Sequence, residues 1–208
     1  MVRTANIRTK GTWETEGFLE VDTTSLGQSA KDLSPFCLHH PSYPSVLVEN
    51  FWQYSKFYRE HGEILYAIGG PRNFYFGDEC ITLPEIKVTD AFRAWANQGM
   101  VKKYSDRHPM GRGAKPVCSV LSVNKHYYAC DYIQARKLLY VPAYAGAVKG
   151  TRTFRWLQCQ VSAGQDIMLL DFDDVDFSRG FDAVLNDGTH VMGHSAVLAA
   201  MLSGEYPC

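Results

Sequence analysis

The 208 residues contain no CxxC pair, no HExxH and no Gly-x-x-x-x-Gly-Lys-Ser/Thr loop. Nor do they contain an apolar run approaching the roughly 18 residues a membrane helix requires. These absences exclude a ribbon-type zinc fold, a metalloprotease helix, a P-loop nucleotidase and a membrane-spanning segment. An excess of charge of one sign is also missing. Lys+Arg number 21 and Asp+Glu 22, a net charge of -1, so no whole-chain field draws the protein to nucleic acid or to a membrane. Any polyanion site must be local. The opening Met1-Val2-Arg3-Thr4-Ala5-Asn6 lacks the apolar core of a secretion signal, and the expected location is cytoplasmic.

Apolar and aromatic residues, in contrast, are plentiful. Hydrophobic residues make up 46%, with 4 Trp, 12 Tyr and 11 Phe, enough for a packed core of ordinary size. The expected organisation is one domain, 1–208, with 62–89 as a lid or insertion because Gly69, Gly70, Pro71, Gly77 and Pro84 interrupt it. The cysteines, at 37, 80, 118, 130, 159 and 208, read as reduced and mostly buried thiols, since several lie in apolar or strand-like runs.

The pattern along the chain predicts a compact α+β fold, mainly helical with short strands. Gly17-Phe18-Leu19-Glu20-Val21 reads as a strand. Ser45 opens a helix over 45–60, where Leu47, Phe51, Tyr54 and Tyr58 recur at helical spacing. Thr89 or Asp90 caps a second helix that Gly99 ends, and 117–123 and 126–132 read as strands. Helical patterns return over 133–140 and, as a new helix, after Pro142. The apolar run 167–170 is a short buried strand, and a C-terminal helix begins at Gly193.

On a helix, Glu49, Gln53 and Lys56 stack on one face at offsets of four and seven, next to Asn50 and the ring of Trp52. A carboxylate, an amide and an amine beside aromatic rings suit a ribose and a base. A partly desolvated lysine is a nucleophile toward a masked aldehyde such as an anomeric carbon. The plain alternative is a solvated helix face.

The connection 99–115 carries Lys102, Lys103, Arg107, Arg112 and Lys115 against Asp106 alone, with Gly111 and Gly113 allowing close backbone approach. It reads either as a phosphate cradle for a nucleotide or nucleic-acid end, through Arg112 and Lys115, or as an exposed basic loop. The acidic run Asp171-Phe172-Asp173-Asp174-Val175-Asp176 follows the apolar strand. It resembles the nucleophile strand of haloacid-dehalogenase-type phosphatases, but only 32 residues follow it, too few for that fold. Asp171 and its neighbours are therefore expected at a pocket rim, touching ribose or the basic connection. His190 and His194 stand four apart around Gly193, which points to a turn or helix start rather than a metal pair. Either is a candidate pocket acid, and no metal or cofactor is expected. Arg136 reads as a helix-surface arginine.

Tyr43-Pro44-Ser45-Val46 followed by Glu49-x-x-x-Gln53-x-x-Lys56 resembles the signature of the NADAR family. Ser34-Pro35-Phe36 is similar to that family's opening small-residue–Phe segment. Met192-Gly193 and Ala196-Val197-Leu198 look like its Leu-Gly element and final helix, with the family's usual Asn falling at His190. The strings Trp52-Gln53-Tyr54-Ser55-Lys56, 109–116 (PMGRGAKP) and 140–144 (YVPAY) look like those of an uncharacterised family, which makes the chain a divergent relative.

The resemblance implies a NADAR-like fold and an N-glycosidase acting on ribosyl–base linkages, including ADP-ribose on guanine. In that scheme Lys56 attacks the anomeric carbon to form a Schiff base, Glu49 handles protons or ribose hydroxyls, and Gln53 orients the substrate. Two alternatives stand beside it. One is a non-catalytic binder of ADP-ribose or another nucleotide. The other is a base-modifying or base-transfer enzyme that holds nucleic-acid phosphates through 99–115.

Overall fold

A computed structural model describes residues 1–9, 16–27, 30–66, 69–173 and 175–206. In chain order the strands are β1 (Val2–Asn6), β2 (Phe18–Asp22), β3 (His39–His40) and β4 (Tyr43–Leu47). Helix α1 (Val48–Tyr54) then leads into β5 (Lys56–Phe57), β6 (Leu65–Tyr66), β7 (Arg72–Phe76), β8 (Glu79–Leu83) and β9 (Glu85–Lys87). Helix α2 (Asp90–Met100) is followed by β10 (Cys118–Val123), β11 (His126–Cys130), α3 (Tyr132–Ala135), a π-helical turn (Arg136–Tyr140) and α4 (Val141–Val148). The chain closes with α5 (Arg152–Ser162), β12 (Asp166–Asp171), α6 (Phe181–Asn186) and α7 (His194–Ser203). The architecture is α+β, with helices around several small sheets.

Two of these assemblies frame the site. The first is a three-stranded parallel sheet in which β12 lies between β1 and β2. A central parallel strand is covered on both faces, which is why Ile167, Met168, Leu169 and Leu170 form an unbroken apolar run and are all buried. Helix α7 packs on this sheet, with every residue from His194 to Leu202 buried. Such an all-round buried helix tolerates a sequence that is apolar on every side. The second is a five-stranded antiparallel sheet, order β5-β10-β11-β9-β6. Its β10–β11 hairpin turns at Asn124 and Lys125, both at positive φ (52° and 66°), as a tight two-residue hairpin requires.

Several sequence expectations are met: the strand near 18–22, the Thr89 cap, the hairpin strands, the strand near 167–170 and the helix from Gly193. Thr89 Oγ1 accepts from Phe92 N at 3.1 Å. Other expectations need correction. The helix predicted over 45–60 is only Val48–Tyr54, because 43–47 pairs with 39–40 as a strand, and Ser45 makes no cap. Beyond Ser55 the chain turns extended so that Lys56 and Phe57 pair with Ser119 and Cys118.

Gly99 lies inside α2 rather than after it. A Cβ there would stand 1.8 Å from a Tyr54 ring carbon, so glycine is required for α1 and α2 to meet. The two helices expected around Pro142 form one continuous helical stretch from 132 to 148. Its π turn precedes the proline, whose ring and missing N–H disfavour regular α-helical bonding one turn earlier. Of the described cysteines only Cys130 is buried; Cys37, Cys80 and Cys159 are exposed because they face outward from loops, a strand and a helix, contrary to the expectation of mostly buried thiols.

The segment 62–89 supplies β6 to β9. Ile81 and Leu83 pack against Tyr128 and Leu139, and its described residues contribute nothing to the wall of the cavity below. No helix among the described residues is long and apolar enough to cross a membrane.

Candidate active site

A cavity of about 500 Å³ lies where α1, the connection between α2 and β10, the π turn, the end of β12 and the start of α7 converge. One wall carries Glu49, Trp52, Gln53 and Lys56. Glu49 and Gln53 project from successive turns of α1, and Lys56 follows from β5. The line predicted on one helix therefore forms across a helix–strand junction. Gln53 Nε2 donates to Glu49 Oε1 at 2.8 Å, and Lys56 Nζ donates to Gln53 Oε1 at 2.8 Å. The amide thus relays between a carboxylate and an amine.

Burial raises the Glu49 carboxyl, against the lowering effects of the Gln53 bond and the Lys56 charge. Burial also lowers Lys56 from 10.5 to about 8; the Glu49 charge opposes this and Arg107 reinforces it. The ammonium lies 4.8 Å from the centre of the Trp52 ring, and that ring lies 5.2 Å from Tyr140 and 6.3 Å from Tyr132. An amine that sheds its proton near pH 8 beside an aromatic floor is equipped for nucleophilic attack on an electrophilic carbon.

A second wall is built by the end of β12 and the start of α7. Asp171 is buried and its oxygens are taken: Phe172 N donates at 2.7 Å, His194 Nδ1 at 3.0 Å and Ser195 N at 3.3 Å. Burial alone would raise the Asp171 carboxyl, but the His194 charge and these bonds hold it below its ordinary value. His194 Nε2 lies 2.9 Å from the Thr23 carbonyl, so both ring nitrogens face acceptors. Burial would lower its pKa, and Asp171 raises it above 6.5. Asp173 lines the same wall. Burial, then repulsion from Asp171, raises its carboxyl, and Arg107 approaches it at 4.0 Å.

The third wall is the connection from 101 to 117, where Arg107, His108, Gly111, Gly113, Ala114 and Pro116 face the cavity. Gly111 and Gly113 adopt φ of 89° and 88°, a region open to glycine. Asn50 fixes the start of this connection. Its Nδ2 donates to the carbonyls of Lys102 and Tyr104 at 3.1 and 3.0 Å, and its Oδ1 accepts from Asp106 N at 2.9 Å.

Of the residues singled out in the sequence, Glu49, Trp52, Gln53, Lys56, Asp171 and His194 meet at this cavity. Four do not line it. Asn50 is buried beneath the connection as its anchor rather than as a ligand contact. Arg112 and Lys115 are exposed, since it is the neighbouring Gly111, Gly113 and Ala114 that face inward. His190 sits in an exposed turn, its ring near Asp187 and Thr189. Asp171 does reach the wall, but its internal partners make it the holder of His194.

Sequence reasoning missed His108 as a cavity residue, and misjudged Arg136; Asp173, expected at the rim with the rest of its acidic run, lines the wall itself. Arg136 is 1% exposed on the π turn, its guanidinium donating to the carbonyls of Val184, Leu185, Asp187 and His190 at the C-terminal end of α6. No local signal marks such a partner about fifty residues away. Among the described residues no group of three or more His, Cys, Asp or Glu side chains could hold a metal ion. Comparison with protein-family models, with curated proteins and with solved structures finds no match.

Proposed function

We propose that this chain is an N-glycosidase, a divergent relative of the NADAR family. Its substrate is a base–ribose linkage in a nucleotide or in ADP-ribosylated nucleic acid, and it works in the cytoplasm. The observation that carries the reading is the hydrogen-bonded line Glu49–Gln53–Lys56 along one wall of a cavity of about 500 Å³, with an amine whose pKa has fallen to about 8. Lys56 in its free-base form attacks the anomeric carbon, Glu49 takes the proton the amine then loses, and Gln53 holds the two in register. The rings of Trp52, Tyr132 and Tyr140 offer a surface on which a base stacks, worth about 1–3 kcal/mol per base. Arg107 and the inward backbone of 111–114 are the groups available to phosphates, in place of Arg112 and Lys115.

The test is incubation with ADP-ribosylated guanine DNA and with NAD, with products read by mass spectrometry. Release of ADP-ribose from the DNA, or of nicotinamide from NAD, by the native chain and its loss in Lys56→Ala, with the fold retained, is the expected result. A fully active Lys56→Ala variant refutes the lysine mechanism. Tight binding of ADP-ribose with no release from either substrate would make the cavity a reader rather than a catalyst.

A further inference from the structure

Lys56, Gln53 and Glu49 account for attack on the sugar but leave open what protonates the departing base. A base nitrogen that leaves as an anion is a poor leaving group, so an acid must stand elsewhere in the cavity. Three carboxylates line it. Glu49 is hydrogen-bonded to Gln53 and coupled to Lys56, and Asp171 is saturated by Phe172 N, His194 and Ser195 N. Asp173 is different. Among the described residues its carboxylate accepts no hydrogen bond, and its nearest cation, Arg107, stands 4.0 Å away.

The backbone keeps Asp173 close to a like charge. A Cβ on Gly193 would lie 2.5 Å from Asp171 Oδ2 and 2.7 Å from Asp173 Oδ2, so the two oxygens are within about 5 Å of each other. With His194 hydrogen-bonded to Asp171, the carboxyl on this wall with no partner of its own to hold it ionised is Asp173. Arg107 acts electrostatically on Glu49, Lys56 and Asp173 alike, which gathers all three around one space.

We propose that Asp173 is the acid that protonates the departing base, on a different wall from the lysine that attacks the sugar. This inference rests on the glycosidase reading above. The Lys56 lone pair forms a bond to the anomeric carbon, the carbon–base bond breaks, and its electron pair takes the Asp173 proton. The attached amine gives one proton to Glu49, its lone pair opens the sugar ring to a Schiff base, and Glu49 returns that proton to the freed ring oxygen. Water then adds to the imine carbon, yielding a proton to Asp173. The carbon–lysine bond returns its pair to Nζ with the hydroxyl proton passed through Glu49, and the aldehyde recloses on the ring hydroxyl. Linkage plus water becomes ribose hydroxyl plus free base, and every side chain regains its starting state.

The test compares two leaving groups in the native chain and in Asp173→Asn. Guanine on ADP-ribose needs a proton to depart, whereas nicotinamide leaves NAD as a neutral pyridine and needs none. Asp173→Asn should lower guanine release about 100-fold or more and nicotinamide release far less. Equal loss on both probes, or no loss of guanine release, overturns the inference. The pH profile of guanine release is an independent readout. In the native chain it falls on the alkaline side as Asp173, whose carboxyl is raised by burial and by Asp171, gives up its proton, and Asp173→Asn removes that fall. A native profile that instead plateaus at high pH overturns the inference. Borohydride trapping on the native chain separates the two readings. An adduct on Lys56 with guanine release unchanged in Asp173→Asn sinks the acid alone, whereas no adduct and no release from either probe sinks the glycosidase reading on which it rests.

Discussion

Lys56→Met should abolish turnover and make the protein more stable, an outcome that follows from the cost of holding an ammonium in a cavity. The fall of Lys56 from 10.5 to about 8 corresponds to about 3 kcal/mol of burial cost when the amine is charged. Methionine has similar length and no charge. Its substitution forfeits the hydrogen bond to Gln53, about 1 kcal/mol. It also forfeits the approach to the Trp52 ring, about 0.5–1 kcal/mol. A gain of about 1–2 kcal/mol remains at pH 7, on the order of 5 °C in Tm for a chain of this size.

The sign with pH is set because the folded pKa lies below the unfolded one. The cost is complete below about pH 8. It fades between 8 and 10.5, where the unfolded chain holds the proton and the folded chain does not, and is absent above that range. The Met variant's advantage should therefore be largest at pH 7 and shrink toward pH 10. Urea unfolding at pH 7, 8.5 and 10 measures it. A variant less stable than the native chain at pH 7, by a margin that does not change with pH, refutes the reasoning.

Gly99→Ala should cost about 1–3 kcal/mol by urea unfolding, since its methyl would overlap the Tyr54 ring and force α1 from α2. Asn50→Ala loses three bonds to the 102–106 backbone and should cost about 1–3 kcal/mol. By loosening Arg107 and His108 it should also raise KM more than it lowers kcat, as steady-state kinetics would show. His194→Leu leaves Asp171 buried without its cation and should cost about 3–5 kcal/mol near pH 6. The folded pKa of His194 is raised, so its contribution is complete below 6.5 and is lost as pH rises through the folded value; the deficit should shrink with alkali in thermal scans from pH 5.5 to 9.

Elements governed by local chemistry were legible in the sequence. The Thr89 cap, the paired strands near 117–132 and the apolar run 167–170 each carry their own signal within a few residues. The spacing of Glu49, Gln53 and Lys56 also indicated that the three side chains line up, even though Lys56 belongs to β5 and not to a helix. Its 2.8 Å bond to Gln53 survives because a residue just past a helix end remains near the residue three before it. What escaped was set by tertiary pairing. Strand β4 claimed 43–47 because His39 and His40 lay across from it, overriding Ser45 as a cap. Arg136 was hidden by carbonyls at the end of α6, and Asp173 acquired its character from Arg107, 66 positions earlier, and from the missing side chain of Gly193.

The claim that Lys56 is a nucleophile is tested most directly by borohydride reduction during turnover of ADP-ribosylated guanine DNA, followed by peptide mass spectrometry. Covalent attack predicts a reduced sugar adduct on Lys56, dependent on substrate and forming more readily as pH rises through about 8. Release of ADP-ribose with no adduct on any lysine, or an adduct confined to exposed lysines such as Lys115, would contradict it.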